Sequence, residues 1–96
     1  MFIIENTYLV NKKEIDNLVP EHRAYMKDLF DKGLFIAMGP QVPRNGGIII
    51  STMSDKRMLI NLLEQEPLVI NQYVSYRIIE FNPTVVGEKY KFLLGA

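Results

Sequence analysis

Residues 20–40, PEHRAYMKDLFDKGLFIAMGP, hold the chain's only histidine and change within one stretch from a helical to an extended pattern. Leu18, His22, Tyr25, Met26, Leu29 and Phe30 recur at three- and four-residue intervals, which places them on one face of an α-helix. His22 therefore points with the apolar stripe. Glu21, Arg23, Lys27, Asp28 and Asp31 fall on the opposite, solvated face, at spacings that let Arg23 and Lys27 reach Asp28 and Asp31. Gly33 closes the helix as a residue able to take positive φ, with Lys32 near the negative end of the helix dipole. A strand, LFIAMGP, begins at once.

Spacing leaves two readings of His22 open. In one it is a neutral core histidine with a ring nitrogen bonded to a nearby carbonyl. In the other it takes and returns a proton near neutral pH, with a carboxylate fixing its tautomer.

Working outward, FIIENTYLV (2–10) is rich in β-branched and aromatic side chains and reads as the first strand, ended by Asn11, Lys12 and Lys13. Ile15, Leu18 and Val19 lead into the His22 stripe, but Pro20 lacks the amide an interior helical position would donate. The helix either kinks there or starts there; one helix over 13–32 with a local break is the preferred reading. Strands follow over 34–39 and 47–53, separated by the turn PQVPRNGG. A second helix spans 55–65, with Ser54 as its N-cap, Met58, Leu59, Leu62 and Leu63 on one face, and Pro67 ending it. LVINQ is a link, and YVSYRIIEF (73–81) is the last strand. The chain divides into a domain over 1–84 and a C-terminal tail over 85–96, expected to cross a neighbouring surface or to fray.

This order predicts an α+β fold: a ferredoxin-like βαββαβ sandwich, with two helices on one face of a four-stranded antiparallel sheet. Alternation puts Phe2 and Ile4 on one face of the first strand and Ile3 on the other, and separates Ile48 and Ile50 from Ile49 on the third. Both faces thus carry apolar groups. At about 25 cal/mol per Å² of buried apolar surface, the uncovered face predicts a homodimer packed sheet to sheet.

Composition narrows the function. With 48% hydrophobic and 23% charged residues the chain suits a packed globule, and 11 basic against 11 acidic residues supply no field to steer nucleic acid or anionic lipid. No cysteine means no disulfide, thiolate nucleophile or zinc-finger spacing, and a lone histidine argues against a transition-metal site. The N-terminus lacks the pattern of a signal peptide, and no apolar run approaches the roughly 20 residues of a membrane span. The expectation is a cytoplasmic protein with no membrane or nucleic-acid partner and no cofactor. RNA recognition on an open sheet needs central-strand aromatics and a basic surround, and GGIIISTM offers neither.

The segments EHRAYMKDLFDKGLFIAMGPQVPRNGGIII, EQEP and YRIIEFNPT resemble, in order and spacing, the YciI-like proteins over residues 1–84. The resemblance implies a dimeric α+β barrel of ferredoxin-like protomers, related in architecture to muconolactone isomerases and antibiotic-synthesis monooxygenases. It also implies a site pairing the helix histidine with an aspartate before proline, and a family that includes a dehydrochlorinase acting on a chlorinated hydroxyquinol. The histidine matches His22; the aspartate position falls on Glu66, one methylene longer. The expectation is a small cofactor-independent enzyme of lyase or isomerase type in which His22 and Glu66 act on a cyclic, aromatic-derived molecule. The alternative is a non-enzymatic small-molecule-binding or regulatory dimer. Arg44 is a candidate for holding a carboxylate or phenolate, Tyr25 and Ser51 for lining the pocket, and Gly46 and Gly47 for ligand approach or a positive-φ hairpin. The methionines at 26, 38, 53 and 58 read as core filler.

Overall fold

The computed structural model describes residues 1–96. Four strands, β1 (Phe2–Tyr8), β2 (Phe35–Pro40), β3 (Gly46–Ser51) and β4 (Val74–Glu80), form one antiparallel sheet in the order β2-β3-β1-β4. Helices α1 (Lys12–Asp31) and α2 (Lys56–Glu64) cover one face, which is the ferredoxin-like arrangement read from the sequence. A one-turn helix, α3 (Pro67–Ile70), replaces the expected link between α2 and β4.

The core follows from strand alternation. Phe2 and Ile4 of β1 and Ile49 of β3 face Met26 and Leu29 of α1 and Leu59 and Leu63 of α2, all buried together. Fully burying such a side chain is worth about 1.5–3 kcal/mol. A second, smaller cluster of Ile15, Leu68 and Val74 clamps α3 between α1 and β4. That clamp brings the residue preceding α3 against the middle of α1.

Several details depart from expectation. Helix α1 runs through Pro20 without a break. Proline removes one amide, the one that would serve the Asp16 carbonyl, but Pro20 lies on the exposed side, where water can take that place. The caps lie elsewhere: Asn11 accepts from the Glu14 amide at 2.9 Å and begins α1, and Asp55, not Ser54, accepts from Met58 at 3.1 Å and begins α2. Gly33 has the expected positive φ, whereas Gly46 and Gly47 sit in extended β3 rather than in a positive-φ hairpin. Gly46 is required by close approach, since a Cβ there would stand 1.8 Å from the Asn6 carbonyl oxygen. Met26 and Met53 are core, but Met38 and Met58 are exposed. The tail forms a 3₁₀ turn, Glu88–Leu93, and bends back so that the Gly95 amide donates to the Pro83 carbonyl at 3.0 Å and the Met1 ammonium to the Ala96 carbonyl at 2.6 Å.

The uncovered face is apolar as alternation requires. Ala37, Ile50, Ile3 and Ile79 fall in register across all four strands, beside a Glu5–Arg77 ion pair of 2.8 Å. No helix is long and apolar enough to cross a membrane.

Candidate functional site

Two turns past Ile15 on α1, the His22 ring donates from Nδ1 to Glu66 Oε1 at 2.6 Å. Glu66 is 3% exposed and stands at the N-cap of α3, where the same Oε1 accepts the Leu68 amide at 3.0 Å. The position is set locally: Pro67 supplies the preorganised φ of a first helical residue, so Glu66 must be the cap, and a cap side chain turns back toward free amides. One oxygen thus closes α3 and fixes the imidazole tautomer. With Nδ1 committed, Nε2 is the nitrogen left to exchange a proton.

His22 lines an open cavity of about 550 Å³ between α1 and the sheet. From α1 come Ile15, Asp16, Val19, His22 and Arg23, a stripe at helical spacing that begins in the first turn and runs beside the core stripe. The sheet contributes Asn6, Tyr8, Met38 and Ile49, and Gly47, lacking a side chain, leaves space among them. Leu68 closes one end.

Of the sequence candidates, His22, Arg44 and Gly47 line this cavity, and Glu66 stands behind His22, bonded to its ring. Arg44 lines the cavity from the β2–β3 loop, but its fork is engaged: Nη2 bonds Asp16, Nε donates to the Tyr8 hydroxyl at 3.3 Å, and the guanidinium lies 5.6 Å from the Tyr8 ring centroid. The hydrogen bond from Arg44 holds the Asp16 carboxyl below the usual carboxylate range. Tyr25 and Ser51 do not line the cavity. Tyr25 donates to the Leu62 carbonyl at 2.6 Å, bracing α1 on α2, and its phenol is pushed up first by burial and then by the Glu66 carboxylate. Ser51 is wholly buried, donating to the Leu34 carbonyl at 2.7 Å and accepting from the Met53 amide at 3.1 Å. Their bonds serve the scaffold. Nowhere do three histidine, aspartate or glutamate side chains converge as metal ligands.

Among the polar lining residues, Asn6, Tyr8, Asp16 and Arg23 escaped sequence reasoning. Arg23 borders the cavity and pairs with no carboxylate, contrary to expectation: Asp28 and Asp31 lie beyond its helical neighbours on α1 and bond Lys32 at 2.9 Å and Lys27 at 2.6 Å. Asn6 was hidden by the strand pattern, although an amide at an inward β1 position is itself a signal.

A family model for the YCII-related domain matches residues 1–82. The chain belongs to the YCII-related domain family. Among solved structures it is similar to 5-chloro-2-hydroxyhydroquinone dehydrochlorinase (TftG) from Burkholderia phenoliruptrix AC1100, in complex with 2,5-dihydroxybenzoquinone. The two share 14% sequence identity at a TM-score of 0.72, over 84% of this chain and 92% of that one. At such identity the likeness establishes the fold of this YCII-related chain, not its chemistry. No curated protein sequence matches it.

Proposed function

We propose that this YCII-related protein is a cofactor-independent enzyme using His22 as its acid and base on a small, oxygen-substituted cyclic substrate, with loss of halide or isomerisation as the outcome. The observation that carries the reading is the 2.6 Å bond from His22 Nδ1 to a buried carboxylate, on a ring that borders an open cavity. A carboxylate in that place stabilises the imidazolium formed during turnover and keeps Nε2 the basic nitrogen.

The chemistry balances without an oxidant. Nε2 accepts a ring-hydroxyl proton while a carbon conjugated to that oxygen receives one, giving the keto tautomer; this alone is an isomerisation. Where that carbon bears chlorine, removal of a second hydroxyl proton lets chloride leave with the carbon–chlorine electron pair. The net loss is HCl. Similarity to a dehydrochlorinase supports this class of substrate, and we further propose that two copies pair through the apolar outer face of the sheet, giving the dimeric α+β barrel.

The test is chloride release and solvent-proton exchange on chlorinated and unchlorinated dihydroxybenzenes and on 2,5-dihydroxybenzoquinone, with His22→Ala alongside. Turnover by the native chain and its loss in the variant support the reading. Turnover that survives in His22→Ala, or a His22 ring whose NMR resonances respond to none of these molecules, overturns it. Thermal stabilisation by a ligand that is never turned over points instead to a binding module.

A further inference from the structure

Asn6 occupies an inward position on β1, following Phe2 and Ile4, where the pattern calls for an apolar side chain. It is 8% exposed, and its Oδ1 accepts the Gly47 amide at 2.6 Å. A backbone N–H can only donate, so the facing atom must be the oxygen, and the side-chain NH₂ is turned away from β3's amide. That NH₂ donates to nothing in the chain, yet no buried side-chain nitrogen is both shut off and unpaired. Its opening is to the cavity Asn6 lines.

Such a group needs a reason. A side-chain donor held in a nearly buried place and open only toward a hollow bonds to whatever fills that hollow. The surroundings hold it in place: Gln41 Nε2 donates to the Asn6 carbonyl at 3.2 Å, and a Cβ at residue 47 would stand 3.3 Å from Asn6 Oδ1 and 3.4 Å from Nδ2. Glycine at 47 leaves the amide free to face the hollow rather than a side chain.

We infer that Asn6 is a ligand-contacting residue whose NH₂ donates to an oxygen on the bound ring, opposite the oxygen that meets His22. The two groups come from facing walls, Asn6 from the sheet and His22 from α1, so a ring between them must carry a hydroxyl toward the helix and an accepting carbonyl or phenolate oxygen toward β1. This deepens the proposed acid–base reading and rests on it for the role of His22, but it is tested by binding rather than by turnover.

Hydroquinone and 4-nitrophenolate are titrated into the full chain, with toluene as a ring lacking oxygen, while the Asn6 side-chain amide is followed by ¹⁵N NMR. The oxygenated rings are expected to move that resonance and toluene to leave it in place. Asn6→Asp keeps an oxygen for the Gly47 amide but replaces the donor by a second acceptor, so binding of both probes should weaken about tenfold, while thermal stability and Gly47 amide protection confirm the fold. Asn6→Ser is the second variant, restoring a neutral donor and part of the affinity. An unmoved Asn6 amide at saturation, binding by Asn6→Asp within about twofold of native, or no binding of either probe overturns the inference. If the probes move Asn6 but His22→Ala leaves turnover intact, the catalytic reading fails and this one stands.

Discussion

Replacing Glu66 by alanine tests the arrangement at the point where fold and site meet. The carboxylate is 3% exposed, and one of its oxygens receives both the His22 ring N–H and the Leu68 amide. Losing an N-cap costs about 1 kcal/mol. Leaving the largely buried imidazole N–H without an acceptor costs about 1–3 kcal/mol more. The expected loss for Glu66→Ala is therefore about 3 kcal/mol, or a melting temperature lower by roughly 15 °C for a domain of this size. Glu66→Gln keeps an oxygen for both donors and forfeits only the charge, so it should lose about 1 kcal/mol. Urea unfolding followed by circular dichroism, at one protein concentration so that any self-association is held constant, gives the midpoints. Adding His22→Ala and the double variant closes a cycle whose coupling energy should be about 1–3 kcal/mol. A coupling near zero, or a Glu66→Ala loss no larger than that of Glu66→Gln, refutes the claim that this bond organises the site.

Gly46→Ala should destabilise by about 3 kcal/mol or more, because its Cβ meets a backbone oxygen that cannot rotate away, whereas Gly39→Ala, with open space around it, should stay within about 0.5 kcal/mol; equal midpoints would contradict the packing of β1 on β3. Tyr76, which donates to Glu64 at 2.6 Å, is pushed up to about 12 by burial first and by that hydrogen bond second. A raised phenol favours the fold while protonated, so its contribution is complete below its ordinary value of 10.0 and is lost as pH climbs toward about 12. The stability gap between native and Tyr76→Phe should accordingly narrow across that window, and a gap independent of pH contradicts the assignment. Ile50→Lys on the outer face of the sheet should shift sedimentation from dimer to monomer with the His22–Glu66 bond intact by NMR; a native chain that is already monomeric at micromolar concentration removes the dimer.

Much of the fold was legible because strand alternation and the spacing from Leu18 to Phe30 are both consequences of backbone geometry, which a sequence carries directly. The four strands lie within two residues of their expected bounds at every end, and the pairing of His22 with the residue before Pro67 came from a family resemblance that geometry then made physical. What failed was local. Helix α3 went unread because four residues are too few for periodicity, although a proline after an acidic residue is itself a helix-start signal. Arg23 is exposed as its place on the solvated face requires, yet it also borders the open cavity, which that face alone does not suggest. The cavity needs a second stripe on the same helix, and two stripes sharing His22 cannot be separated by counting along a single one. Tyr25 and Ser51 lie on inward faces as expected, but which carbonyl a hydroxyl reaches depends on tertiary contacts that no spacing encodes.

The longer side chain at Glu66 bears on more than reach. An aspartate before proline, the residue implied by resemblance to the YciI-like proteins, is among the preferred helix caps, since its short carboxylate falls naturally on the amide two residues ahead. Glutamate makes that same capping bond here and still touches His22, using a single oxygen for both. The imidazole is thereby tied to the start of α3, and α3 is held by Leu68 packed against Ile15 and Val74. Anything that loosens this small cluster moves the carboxylate away from the ring. A Leu68→Ala chain, expected to lose about 2–5 kcal/mol from its cavity alone, should therefore disturb His22 as well, through the displaced cap rather than through any contact Leu68 makes with a substrate. Site and scaffold share one oxygen, so the chemistry of the histidine depends on the burial of a leucine two residues beyond its partner.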